Sequence, residues 1–159
     1  MANRAFTLLV LGLLSWLAIF FWRRFNALNS LQINVGGIKQ AKLENGFITW
    51  VQELIINNPD TVEITANRAN IDVFLNQNYV GKCSLENPQT IKPTSISVIN
   101  VKVTCTVSEI LQAAGFTILD LIHGKKADFV LQGSIGAYGF TAPLKQSISF
   151  DFKKMLKNL

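Results

Sequence analysis

The chain has 159 residues, 49% of them hydrophobic and 16% charged, against about 25% charged in an average soluble domain, so it divides most simply into one domain plus an apolar segment. Fifteen Lys and Arg against ten Asp and Glu give a net charge of +5, but Arg4, Arg23 and Arg24 flank a single hydrophobic run and the rest of the chain is close to balanced. No clustered basic face of the kind that contacts phosphates remains, which argues against a nucleic-acid partner, and ten Gly, four Pro, two Cys and the lack of a sustained heptad exclude collagen-like, disulfide-scaffold and coiled-coil classes.

Residues 5–22 (AFTLLVLGLLSWLAIFFW) carry no charge, and at about 1.5 Å rise per residue they would cover roughly 27 Å of hydrocarbon. An uncleaved single-pass helix is the reading adopted; a cleaved signal peptide and a buried soluble helix are its alternatives. The apolar core ends in Phe20-Phe21-Trp22-Arg23-Arg24-Phe25 rather than in the small residues a cleavage site needs. Trp22, Arg23 and Arg24 match a membrane-interface anchor, with rings and guanidinium groups at headgroup level. Counting basic residues near each end places the domain on the inner side by a narrow margin.

After an anchor over residues 1–24 and a short linker over 25–31, the sequence predicts a β-sandwich domain over 32–153 and a basic tail over 154–159. Short runs rich in Val, Ile, Thr and Phe, separated by Asn, Gly, Pro and Asp, read as strands and turns. Candidate strands are 32–35, 48–57, 62–67, 71–75 with 79–84, 96–107 and 128–135. In 96–107 the residues Ile99, Val101, Val103, Cys105 and Val107 share one parity and Asn100, Lys102, Thr104 and Thr106 the other, the mark of a half-buried antiparallel strand. The last strand repeats the pattern, with Ile148, Phe150 and Phe152 against Ser147, Ser149 and Asp151. Six or seven strands predict an all-β, two-sheet sandwich. One helix interrupts them: Ser108 reads as its N-cap, Ile110, Leu111, Ala114, Ile118, Leu119, Leu121 and Ile122 recur at near-helical spacing, Gly115 is a candidate break, and Gly124 ends it.

Three segments, LIINNPDTVEITANRANIDVFLNQNYVGKCS, IKPTSISVINVKVT and LQGSIGAYGFTAPLKQSISFDF, carry a resemblance across residues 32–153. Their shared features are the Asn58-Pro59 turn after a strand, the Tyr79-Val80-Gly81 strand end, Ile91 and Pro93 before a serine-led alternating strand, a helix, and a closing hairpin containing Gly133 with Pro143. In this order they resemble the late embryogenesis abundant type-2 family, also called the water-stress and hypersensitive-response domain, in a membrane-anchored bacterial or phage form. The resemblance implies an immunoglobulin-like antiparallel β-sandwich without a catalytic site, in a family associated with desiccation and stress in plants and with membrane-attached proteins in bacteria and their viruses.

The reactive residues do not form a coherent constellation. His123 is the only histidine, so no site needing two imidazoles can be built, and no metal or other cofactor is expected. Cys83 and Cys105 form no CxxC pair. Cys105 shares the apolar parity of its strand and reads as a buried free thiol, with a disulfide to Cys83 as the alternative if the domain is extracytoplasmic. Gly133, Gly136 and Gly139 are spaced for a hairpin, not for a dinucleotide fingerprint. Asp60, Glu63 and Asp72 read as solvated carboxylates.

The expectation is therefore a non-enzymatic, membrane-anchored binding or structural protein, located in a membrane as a single-pass protein or in the internal membrane of a virion, where it would link bilayer and capsid. The rival class is an envelope hydrolase using His123 with Ser108 or Ser134. The lipid bilayer is the expected partner of residues 5–22. Seven strands running alternately up and down would put the C-terminus at the end away from the anchor, so Lys153, Lys154 and Lys157 would meet a protein partner there, beyond a Debye length of about 8–10 Å from the bilayer.

Overall fold

The computed structural model describes residues 2–117, 119–120 and 123–152. A helix α1 (Ala2–Asn29) leads into β1 (Gln32–Glu44), β2 (Phe47–Asn58), β3 (Ile64–Ala66), β4 (Arg68–Leu75), β5 (Asn78–Ser84), β6 (Gln89–Ile91), β7 (Ser95–Thr106), helix α2 (Val107–Ala114), β8 (Lys126–Ala137) and β9 (Phe140–Asp151). Seven strands form one antiparallel sheet in the order β1-β2-β7-β5-β4-β8-β9, and β3 and β6 pair separately. The all-β class with one short helix, preceded by an apolar helix, is as expected.

The two leaves of the sandwich belong to this one sheet, which folds over on itself. Trp50 of β2 meets Phe129 of β8 and Phe150 of β9 with ring centroids 5.9 and 4.8 Å apart. Two glycines permit the fold: a Cβ on Gly81 would collide with Thr104 O and Cys105, and one on Gly133 with Asn70 O and Ile71. Backbones this close in a strand interior tolerate no side chain. At the open seam, Gln146 Nε2 of β9 donates to Ile33 O of β1 at 2.9 Å. The seam is thus bridged by a side chain, with no backbone ladder between β1 and β9.

Alternation governs which residues fill the interior. Ile99, Val101, Val103 and Cys105 are buried, as are Ile148, Phe150 and Phe152, while Lys102 and Ser149 are exposed. Three hairpins close through two-residue turns with both central residues at positive φ: Asn45-Gly46 (50°, 80°), Asn76-Gln77 (49°, 69°) and Tyr138-Gly139 (53°, 85°). This geometry matches the right-handed twist of the flanking strands.

Several boundaries differ from the sequence reading. The first strand continues to Glu44 because its second half is an edge with bulges between Val35 and Ile38 and between Lys39 and Lys42, which break the period-two signal. Buried Gln52 donates from Nε2 to Gly36 O at 3.0 Å and Gly37 O at 3.2 Å, taking up carbonyls at the first bulge. The last strand begins at Phe140 rather than Ser147, and Pro143 sits in it without cost because β9 is an edge. Residues 25–29, expected as linker, continue α1, since Ala27 and Leu28 are buried in the domain core. The N-cap of α2 is Thr106, not Ser108, and Gly115 in the left-handed conformation ends that helix, with the Phe116 N–H bonding to Leu111 O at 3.0 Å. A separate helical turn follows, where the Thr117 N–H and hydroxyl contact Asp120 Oδ2 at 2.8 and 2.9 Å and the Asp120 N–H returns to Thr117 Oγ1 at 3.3 Å, a reciprocal cap. Ile118, Leu121 and Ile122 lie outside the described residues.

Candidate functional site at the helix–domain junction

Six successive antiparallel pairings give β1 and β9 the same direction. The end of the sandwich that receives α1 therefore holds the starts of β1, β4, β7 and β9 and the ends of β2 and β8. Asp151 and Phe152 lie at the other end, beside Lys126. The described residues of β9 thus end at the opposite end of the sandwich from α1. Lys153, Lys154 and Lys157 themselves lie outside the described residues.

At the receiving end, α1 meets the β8–β9 hairpin and the segment between β2 and β3. Phe21 and Phe25, one turn apart, sit edge-on to Phe140 with centroids 6.3 and 5.4 Å away. Arg24, on the neighbouring stripe, holds its guanidinium carbon 4.2 Å from the Phe20 ring centroid and 3.9 Å from that of Tyr138. A cation between two aromatic faces contributes about 0.5–2 kcal/mol per face, depending on desolvation. Tyr138 is fixed in turn: its hydroxyl accepts the Thr65 N–H at 3.2 Å and donates to Glu63 O at 3.3 Å.

The segment after β2 is stapled by Asn58, which is fully buried. Its Nδ2 donates to Val62 O at 2.9 Å and Lys92 O at 3.2 Å, and its Oδ1 accepts the Asp60 N–H at 3.1 Å. The Asp60 carboxylate accepts the Val62 N–H at 3.1 Å and the Thr61 hydroxyl at 3.5 Å, so it is engaged by its own loop. Between this loop and α1 runs a groove of about 330 Å³ whose lining includes Trp16, Ile19, Phe20, Arg23, Arg24 and Thr61.

Of the three anchor residues named from sequence, the structure brings Arg23 and Arg24 to this junction and leaves Trp22 66% exposed. The residues missed are Tyr138 and Phe140. The sequence holds them more than a hundred positions away, and their aromatic side chains beside Gly139 read as ordinary hairpin residues.

The other candidates are not assembled into a site. His123 is exposed, with its N–H on Leu119 O at 2.9 Å. Ser134 pairs with Pro143, eight residues along β8 from Lys126, so about 26 Å of strand separates it from the His123 end. Beside His123, the Lys125 ammonium holds the Asp120 carboxyl well below the usual carboxylate range, helped by the Thr117 hydrogen bonds. Cys83 and Cys105 are free and buried, and burial pushes the Cys83 thiol up to about 12 and the Cys105 thiol up as well. Among the described residues no cluster of three or more His, Cys, Asp or Glu could hold a metal ion.

No family model matches the chain, and neither does any curated protein. Solved structures do. The solution structure of AT1g01470 from Arabidopsis thaliana is 15% identical with a TM-score of 0.57, covering 75% of this chain and 80% of that one. The solution structure of a candidate late embryogenesis abundant (LEA) protein, At2g46140.1, is 13% identical with a TM-score of 0.56, covering 90% of this chain and 83% of that one. A protein from Archaeoglobus fulgidus is 14% identical with a TM-score of 0.49, covering 77% and 93%. At these identities the likeness is one of fold: the domain is LEA-like in architecture. The apolar helix of this chain is long and apolar enough to cross a membrane over Leu9–Asn29, a test by length and composition that a signal sequence or a soluble core helix also passes.

Proposed function

We propose that the chain is a non-enzymatic, single-pass membrane protein whose LEA-like sandwich is held close to the bilayer and works by binding a partner at its far end. The observation that carries this reading is the unbroken passage of α1 into the domain: Leu9, Leu11, Leu13, Leu14 and Trp16 are 54–70% exposed on the same helix whose Ala27 and Leu28 are buried in the core. Exposed leucines on a helix this long want an apolar surrounding. A cleaved leader would contribute no residues to the folded core junction, whereas Phe21, Arg24 and Phe25 pack on the domain. The direction of β9, which ends at the far end with Asp151, and the three lysines that follow it in the sequence support a partner there. A protein of this build in a lipid-containing virion would link the internal bilayer to the capsid shell; in a cell it would present the same end to an envelope or cytoplasmic partner.

The test is extraction from native membranes. The protein should keep residues 5–22 by intact-mass analysis and resist alkaline washing. A mature form lacking them, or release by alkali, would remove the anchor.

A further inference from the structure

The groove between α1 and the loop after β2 has a chemical order along its length. Trp16, Ile19, Phe20 and Arg23 stand at i, i+3, i+4 and i+7, so they line one helix face. The apolar residues lie toward the free end of α1 and the guanidinium groups toward the domain, with Trp16 and Arg23 about 10 Å apart along the axis. Arg24 is held between the Phe20 and Tyr138 rings, and a guanidinium carries five N–H donors with which to meet an anion. Neither arginine belongs to the ion pairs found among the described residues, which are Lys39–Glu53, Lys102–Glu86 and Lys125–Asp120. In the loop facing them, the Asp60 carboxylate is engaged by the Val62 N–H and the Thr61 hydroxyl.

We infer that this groove holds one anionic phospholipid, its phosphate on Arg23 and Arg24 beside Thr61, and one acyl chain along Ile19 and Trp16. The inference rests on the anchor reading above, because a groove outside a bilayer would meet no lipid. The match is of charge and of order: two unpaired guanidinium groups at one end and an indole and aliphatic wall at the other fit phosphate above hydrocarbon. A free phosphate would use only the first half. The binding site is a composite of anchor and domain, so the lipid would also tie Thr61 to α1.

The experiment uses the full-length chain. In a first arm it is reconstituted with vesicles of phosphatidylcholine alone; flotation with the vesicles is expected for the parent chain and for Lys126→Gln, and failure of both to float would remove the anchor reading and this inference with it. In a second arm the detergent-solubilised chain is offered equal phosphatidylglycerol and phosphatidylcholine and examined by native mass spectrometry. One phosphatidylglycerol should be retained about ten-fold over phosphatidylcholine, a difference of about 1.4 kcal/mol. Arg23→Gln should abolish that preference, while Lys126→Gln, which removes the same charge at the far end, should keep it. Equal retention of the two lipids by a chain that floats, or equal loss in the two variants, would overturn the groove and leave the anchor standing. In a third arm, inorganic phosphate at micromolar concentration should not displace the lipid; displacement would assign the site to a free anion and overturn the lipid.

Discussion

The guanidinium of Arg24 and the ring of Tyr138 lie 3.9 Å apart, and Tyr138 reaches that position only by adopting φ 53° at the tip of the β8–β9 hairpin. A bulky residue at positive φ is disfavoured, so the contact is made against a backbone cost. Removing the cation should expose that cost. Arg24→Met is expected to lower the stability of the full-length chain by about 1–2 kcal/mol and to speed hydrogen exchange of hairpin amides near Gly139. Unchanged exchange there would show that the clamp does not hold the hairpin.

The buried parity of β7 predicts a sharp contrast between neighbours. Val101 and Val103 are fully buried, whereas Lys102 is exposed and pairs with exposed Glu86 at 2.9 Å. Val103→Asp should cost more than about 4 kcal/mol or prevent folding, and Lys102→Gln less than about 0.5 kcal/mol. Similar denaturation midpoints for the two would contradict the register.

Gly81 and Gly133 should resist any enlargement. Gly133→Ala forces a Cβ into the backbone of β4 and is expected to cost about 1–3 kcal/mol or more. Gly12→Ala, with open space around it, should leave the midpoint unchanged.

The thiols predict a pH dependence. Their pKa values are raised in the folded state by burial, so above the unfolded value of about 8.5 the unfolded chain releases protons that the folded chain keeps, and stability falls as pH rises. Below about pH 7 both thiols are protonated in either state and contribute no slope. Denaturant midpoints should therefore decline between pH 8.5 and about 10, with a shallower decline in the Cys83→Ala/Cys105→Ala chain. Identical slopes would contradict the burial of the thiols.

Phe152 is fully buried and packs on Phe150 and Phe129 with centroids 4.9 and 6.4 Å away. A chain ending after Phe152 should keep its unfolding midpoint and its membrane attachment and lose salt-dependent partner recruitment. One ending after Asp151 should lose about 3–5 kcal/mol, as large-to-small core changes at phenylalanine do. Recruitment unaffected by the first truncation would place the partner elsewhere.

How much of this was legible beforehand follows from what kind of signal each part leaves. The strand at 96–107 and the burial of Val101, Val103 and Phe150 were readable because one side of each strand is dry and the other wet, and that difference is written at period two. The second half of β1 was not, because Gly36, Gly37 and Gln40 serve a bulged edge where most residues are exposed and the period-two contrast is lost. The extension of α1 through Leu28 was hidden by its polar neighbours Asn26 and Asn29. The junction was half legible: the Arg23-Arg24 pair announces itself beside an apolar run, but that Tyr138 and Phe140 would complete it depends on a strand order that no local pattern encodes.

The common direction of β1 and β9 has a mechanical consequence. The helix enters at one end of the sandwich and β9 ends at the other, so under the proposed function a pull between bilayer and partner would run parallel to the strands. The β1–β2 ladder is then loaded in shear, with its hydrogen bonds sharing the force together. A hairpin pulled from one end would instead part bond by bond. Held as proposed between bilayer and partner, the domain would resist extension along that line, and it would yield more readily if grasped through two neighbouring strands at the same end.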